Sequence, residues 1–133
     1  NVDEYHVTIS GTSSGEVLRF TALDNGRVDG IFFRNGATAC DGTNGWRMLI
    51  QNEDRSDAQI ADFGAGSATN AALADDKVAV SANVVAYISN SLVATTTHFS
   101  KGDSVTLDVT EDGTAGGAEI TVVVNYQSQG WKA

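Results

Sequence analysis

The chain contains no proline and only one cysteine, Cys40, among its 133 residues. A lone cysteine excludes an intrachain disulfide framework, so the fold must be held by the packing of its elements. It also excludes a structural zinc site, which wants four Cys or His ligands at close spacing; besides Cys40 there are only His6 and His98. Positive charge is scarce, with eight Lys and Arg against seventeen Asp and Glu, for a formal charge of −9. Phosphate backbones are gripped mainly by Lys and Arg, so no nucleic-acid partner is expected. No apolar run approaches the ~20 residues of a membrane helix, and no membrane partner is expected either.

The ingredients of catalysis are equally sparse. A hydroxyl or thiol nucleophile needs a neighbouring base, usually His. His6 falls on the outward face of a strand, His98 at a strand end, and no Gly-x-Ser-x-Gly elbow occurs. Cys40, between Ala39 and Asp41, reads as a small packed residue rather than a reactive thiol. Seventeen carboxylates will place some pair at glycosidase spacing by chance, so their number has no diagnostic value. Two acidic groups could be imagined around calcium: Asp24, Asn25 and Asp29, or Glu53, Asp54 and Asp57. Neither follows the calcium-loop pattern, and turn capping is the ordinary use of Asp and Asn at such places. The Gly-rich stretches connect strands and open no helix, so phosphate-cradling loops are missing. The expectation is a protein that is not an enzyme, with no cofactor and no metal.

What is present points to β structure. Fourteen glycines and an apolar content of 41% suit one domain over residues 1–133 made of short strands and tight turns. A domain of this size buries roughly two-thirds of its unfolded surface. Tyr5, Val7 and Ile9 alternate with His6 and Thr8, the period-two mark of a half-buried strand. A second strand follows over Glu16–Ala22, with Leu18 and Phe20 inward and Val17, Arg19 and Thr21 outward. Asp24-Asn25-Gly26 is a turn, because Asn and Gly tolerate positive φ. Further strands are predicted over Val28–Arg34, Trp46–Asn52, Ala58–Phe63, Lys77–Val80, Val84–Ser89 and Leu92–His98. Asn35–Gly45 and Gly64–Asp76 read as loops, the second with one helical turn at Ala71–Ala74. Asn1–Glu4 and Gln127–Ala133 read as arms flanking the fold.

The last predicted unit is a β-hairpin. Val105, Leu107 and Val109 alternate with Thr106, Asp108 and Thr110; beyond Gly113, Gly116 and Gly117, the residues Ile120, Val122, Val124 and Tyr126 repeat the pattern. About eight strands with Gly/Asn/Asp turns and no helical period argue an all-β, antiparallel β-sandwich. A jelly roll fits the count best, and an immunoglobulin-like sandwich lacks its Cys…Trp…Cys spacing.

Three residues stand out as a candidate subunit or partner interface. Phe32 opposes Ile31 and Phe33, and Val123 opposes Val122 and Val124, so each puts an apolar side chain on the face away from the core. Trp131 is isolated in a polar tail, and Trp is a favoured interface anchor. A sugar platform is a weaker reading, because Trp46, Tyr5 and Tyr126 fall on core-facing positions and leave few aromatics outside.

The wording of the closing segment adds a resemblance. Phe99-Ser100-Lys101-Gly102-Asp103, the alternating Ser104–Val109 with Asp108 in its middle, and Ala118–Val124 resemble the C-terminal hairpin of small β-sandwich virion proteins of tailed bacteriophages. About 28 residues carry the likeness; the rest of the chain matches in tone alone. The resemblance implies a structural role in the virion: a capsid decoration (cement) protein on the capsid exterior, bound to the major capsid protein or other virion proteins, and assembling as a homo-trimer. A fibre-head or lectin-like module reading ligands with Asn35–Gly45 and Gly64–Asp76 is one alternative. A tumour-necrosis-factor-like trimeric jelly roll is another, since Gly-Asp before a valine-rich strand also occurs there.

Overall fold

A computed structural model describes residues 2–66, 76–92 and 97–127. In it nine strands form two sheets: β1 (Val2–Ile9), β2 (Gly15–Thr21), β3 (Gly26–Asn35), β4 (Gly45–Asn52), β5 (Ala58–Ala65), β6 (Lys77–Val78), β7 (Val85–Ser89), β8 (Ser104–Asp112) and β9 (Ala118–Tyr126). One sheet has the order β1-β9-β3-β7, the other β2-β8-β4-β5-β6. The pairs β1·β9, β2·β8, β3·β7 and β4·β5 are those of one long antiparallel ribbon folded at its middle. Rolling that ribbon up adds the closing pairs β3·β9 and β4·β8. This is the jelly roll that the strand count suggested. The extra strand is β6, two residues pairing parallel to β5.

The period-two patterns fix which side chains go inside. Ile31 and Phe33 of β3, Ile120, Val122 and Val124 of β9, and Ile88 of β7 face Val105, Leu107, Val109, Met48, Ile50 and Phe63 of the other sheet; all are buried. Each such side chain contributes roughly 1.5–3 kcal/mol by leaving water. One end of the sandwich is closed by aromatics. Tyr5 stacks on Phe20 at 4.0 Å, Phe99 meets Phe20 and Tyr126 edge-on, and the Tyr5 and Tyr126 hydroxyls hydrogen-bond at 2.7 Å. Trp46 is also core, donating its indole N–H to the Gly116 carbonyl at 3.0 Å.

Several expectations are corrected. β8 and β9 are consecutive and both alternate, but they do not pair: β8 lies between β2 and β4, β9 between β1 and β3. Alternation reports one buried face, which two strands facing each other across a sandwich satisfy as well as two hairpin partners. The Gly-rich connection 113–117 spans the ~10 Å between sheets instead of turning tightly. Val2–Glu4 form no arm; they are the start of β1, opposite Val123–Asn125. Val17 does not simply point outward, because a register shift between Glu16 and Leu18 turns it partly against the core. Leu92, Thr97 and His98 belong to no strand; Phe99 instead makes an isolated antiparallel bridge to Gly26. The proposed helical turn at Ala71–Ala74 and Trp131 lie outside the described residues.

Candidate interaction surface

The outer faces of the two sheets differ in chemistry. On the five-stranded sheet the outward side chains are mostly polar. Arg19 of β2 forks between Glu16 and Glu53 and also donates to Ser104 Oγ at 2.9 Å. Arg47 of β4 grips Asp62 of β5 through two hydrogen bonds of 3.0 and 2.8 Å, and Asp62 is almost wholly buried there. Asp108 sits in the middle of β8 with its carboxyl pushed above the usual range, chiefly by burial and then by Glu16, Glu53 and Asp57.

On the four-stranded sheet an apolar patch lies over β3 and the edge strand β7. Phe32 of β3 lies directly opposite Tyr87 of β7, and their rings meet at 4.8 Å with a tilt of 52°. Phe32 is 40% exposed, Tyr87 45% and the neighbouring Val85 42%. Gly30, beside Tyr87, makes this arrangement possible: a Cβ there would stand 2.6 Å from the Tyr87 hydroxyl and 2.5 Å from the Ile88 carbonyl. The Tyr87 ring therefore lies across bare backbone. Burial, together with Asp29 nearby, raises the Tyr87 phenol above its ordinary pKa, partly offset by a hydrogen bond with Ser89. Charged and polar side chains border this patch at the two ends of β3 and on its β9 and β1 side. Arg34 approaches Glu119 at 3.6 Å, Arg27 donates to Asp29 at 3.1 Å, and His6 bonds Thr121 at 2.9 Å. An apolar core inside a polar rim is the usual anatomy of a protein-binding surface.

Of the three residues expected at an interface, Phe32 is exposed on the outer face of the sheet. Val123 is only 8% exposed, sitting on the same face opposite Glu4 and Gly30, and is covered within its own chain. Tyr87 and Val85 are not among the interface residues expected from the sequence, although Val84–Ser89 shows the same apolar side chains on both faces that mark Ile31–Phe33. Gly30 gave no signal, since its role depends on a strand more than fifty residues away.

The residues considered for chemistry have structural employments. Cys40 is buried, bridges Val80 through its backbone, and has its thiol pushed up to about 11 by burial and Asp41, so it is neutral at physiological pH. Asp24 Oδ1 accepts from the Asn25 N–H, Asn25 Oδ1 from the Lys101 N–H, and Asp54 Oδ2 from the Ser104 N–H. These are turn and strand caps. No group of three or more His, Cys, Asp or Glu suited to a metal ion occurs among the described residues. His6 and His98 are not brought to one site. His6 borders a shallow groove with Thr8, Glu119 and Thr121, whereas His98 lines a separate pocket of about 190 Å³ with Arg27, Asp29 and Asn90. Burial, with Arg27 and Arg55, holds the His98 imidazole below its usual pKa. No family model, curated protein or solved structure matches this chain.

Proposed function

We propose that this protein is a non-enzymatic structural module: a phage capsid decoration protein, trimeric, that binds the head exterior between capsomers. The observation that carries the adhesive part is the Phe32–Tyr87 pair, exposed on a sheet face and bordered by charges on β3 and β9. Large aromatics standing in water gain when another surface covers them, and fully buried aromatics dominate interface energetics. The virion setting rests on the resemblance of the Phe99–Val124 segment. In this role many modest contacts hold neighbouring capsomers together, and trimerisation multiplies them through effective concentration.

The test is binding of the purified protein to shells from which it has been stripped. Phe32→Asp puts a charge into the centre of the patch and leaves the inward residues Ile31 and Phe33 untouched. It is expected to weaken shell binding about tenfold or more while the protein still folds cooperatively, its melting temperature lowered by a few degrees through loss of the Tyr87 contact. Wild-type protein that binds no shell, or a Phe32→Asp variant that binds as well as wild type, overturns the reading.

A further inference from the structure

A sandwich of two open sheets has four edge strands, and an edge strand offers unpaired N–H and C=O groups to any passing chain. Proteins blunt such edges with charge, bulges or brevity. Here β1 carries Asp3 on its core-facing side as well as Glu4. Edge strand β2 has Glu16, Arg19 and a register shift. The β6 edge is two residues long and begins with Lys77. β7, reading Val-Ala-Tyr-Ile-Ser, has no such device: no charge, no proline and a regular register over its whole length. It lies within the longest stretch free of Asp, Glu, Lys and Arg in the chain, residues 78–100.

The hydrogen-bond phase of β7 is set at both of its ends. Asn35 N–H donates to the Val84 carbonyl and Asn90 N–H to the Asp29 carbonyl, each at 2.9 Å. Antiparallel ladders alternate, so Ala86 and Ile88 spend their backbone groups on β3, while those of Val85, Tyr87 and Ser89 point away from it. Among the described residues, no hydrogen bond reaches those outward backbone groups. We infer that β7 is an open pairing edge whose partner is β7 of a second copy, running antiparallel about Tyr87.

The strand is complementary to itself in that register. Tyr87 faces Tyr87 of the second copy and Val85 faces Ser89, all three using their outward backbone groups. Cross-strand neighbours share a face, so the two Phe32–Tyr87 pairs join into one aromatic row across both copies. On the other face Ala86 meets Ile88, continuing the core of each sandwich. No charge on the strand meets another, which matters for two molecules of charge −9 each. An occupant bearing Lys or Arg would find no carboxylate on this strand to recognise. Five residues bury less than the ~1,000 Å² typical of a stable interface, so the contact is weak in solution and strengthens where copies are held close together. It is a twofold contact, and it stands whether or not the protein decorates a shell.

The experiment combines sedimentation velocity with amide hydrogen exchange on the intact chain from low to ~1 mM concentration, a range that captures weak association. Wild type is expected to associate further as concentration rises, a dilute monomer doubling its mass and a dilute trimer, with three such edges, at least doubling it. The amides of Val85, Tyr87 and Ser89 should exchange about tenfold slower at the high end, a signature that burial of side chains alone does not give. Val85→Pro removes an outward N–H without touching the β3 ladder, and Val85→Lys supplies the missing edge charge; each is expected to abolish the doubling. No doubling in wild type, doubling that persists in both variants, or doubling without protection of these three amides overturns the inference. Protection of them only by a different protein overturns the choice of partner. Because the readout is confined to β7, a failure here is distinguishable from loss of shell binding through Phe32.

Discussion

Single side chains in this protein are decided by which face of a strand they occupy and by what covers that face. Asp108 shows the effect of being covered. It alternates outward from Leu107 and Val109, yet β2 and β4 flank it, and Glu16, Glu53 and Asp57 surround it with like charge that Arg19 only partly offsets. Its carboxyl is raised in the folded state, so the folded protein holds that proton more tightly than the unfolded chain. The associated stability is full below the unfolded carboxylate range and is lost as pH rises through the raised folded value. Asp108→Asn is therefore expected to raise the melting temperature by a few degrees at pH 7, with the gain vanishing near pH 3. Thermal melts of both proteins across that range check it; an equal gain at both ends would mean that ionisation is not the cause. The sequence marked Asp108 as outward, but its three acidic neighbours come from β2 and from the connection between β4 and β5, which no local pattern reveals.

Elements show where local signals suffice and where they do not. The Lys101-Gly102-Asp103 turn was legible because its chemistry is local. Gly102 adopts φ +89°, and Asp103 caps the turn, its Oδ2 accepting from the Ser100 N–H at 2.8 Å. The same oxygen accepts from Asn52 Nδ2 at 2.8 Å, a link from this turn to the end of β4 that sequence alone could not supply. Asn52 is buried, so Asp103→Ala leaves its amide unpaired as well as uncapping the turn. A loss of about 2 kcal/mol in urea unfolding is expected. A loss below about 0.5 kcal/mol, the range of an ordinary surface change, would contradict the account of this turn. Strand positions were likewise readable from period two, since Ile31, Phe33, Val105, Leu107, Val122 and Val124 are all inward. Pairing was not. Alternation is the same whether β8 and β9 lie side by side or face each other, and only the rolled ribbon separates them. For the same reason Val123 could be placed on the outer face but not recognised as covered.

Among the described residues the molecule is a jelly roll with two unlike outer surfaces and, by the inference above, an edge at β7 open to pairing. The five-stranded sheet presents fork-paired arginines and carboxylates, which interact well with water. Its counterpart presents Phe32, Tyr87 and Val85 at the β7 edge, beside the charged side chains of β3 and β9. That asymmetry is what a module attached on one side would need, with one face kept for partners and the other for solvent. The fold class was legible in the sequence because strand number and turn spacing bound it. The site was legible only in Phe32, because the rest of the patch is assembled by pairing β3 with β7 across an intervening run of other strands.

A cryo-EM map of the assembled virion tests the central claim most directly. The account predicts this chain on the outside of the head, seated between capsomers, with the Phe32–Tyr87 face covered by a neighbouring protein and the Arg19–Glu16 face turned to solvent. A map in which the chain is missing from the head, or is bound with Phe32 and Tyr87 facing solvent, would contradict it.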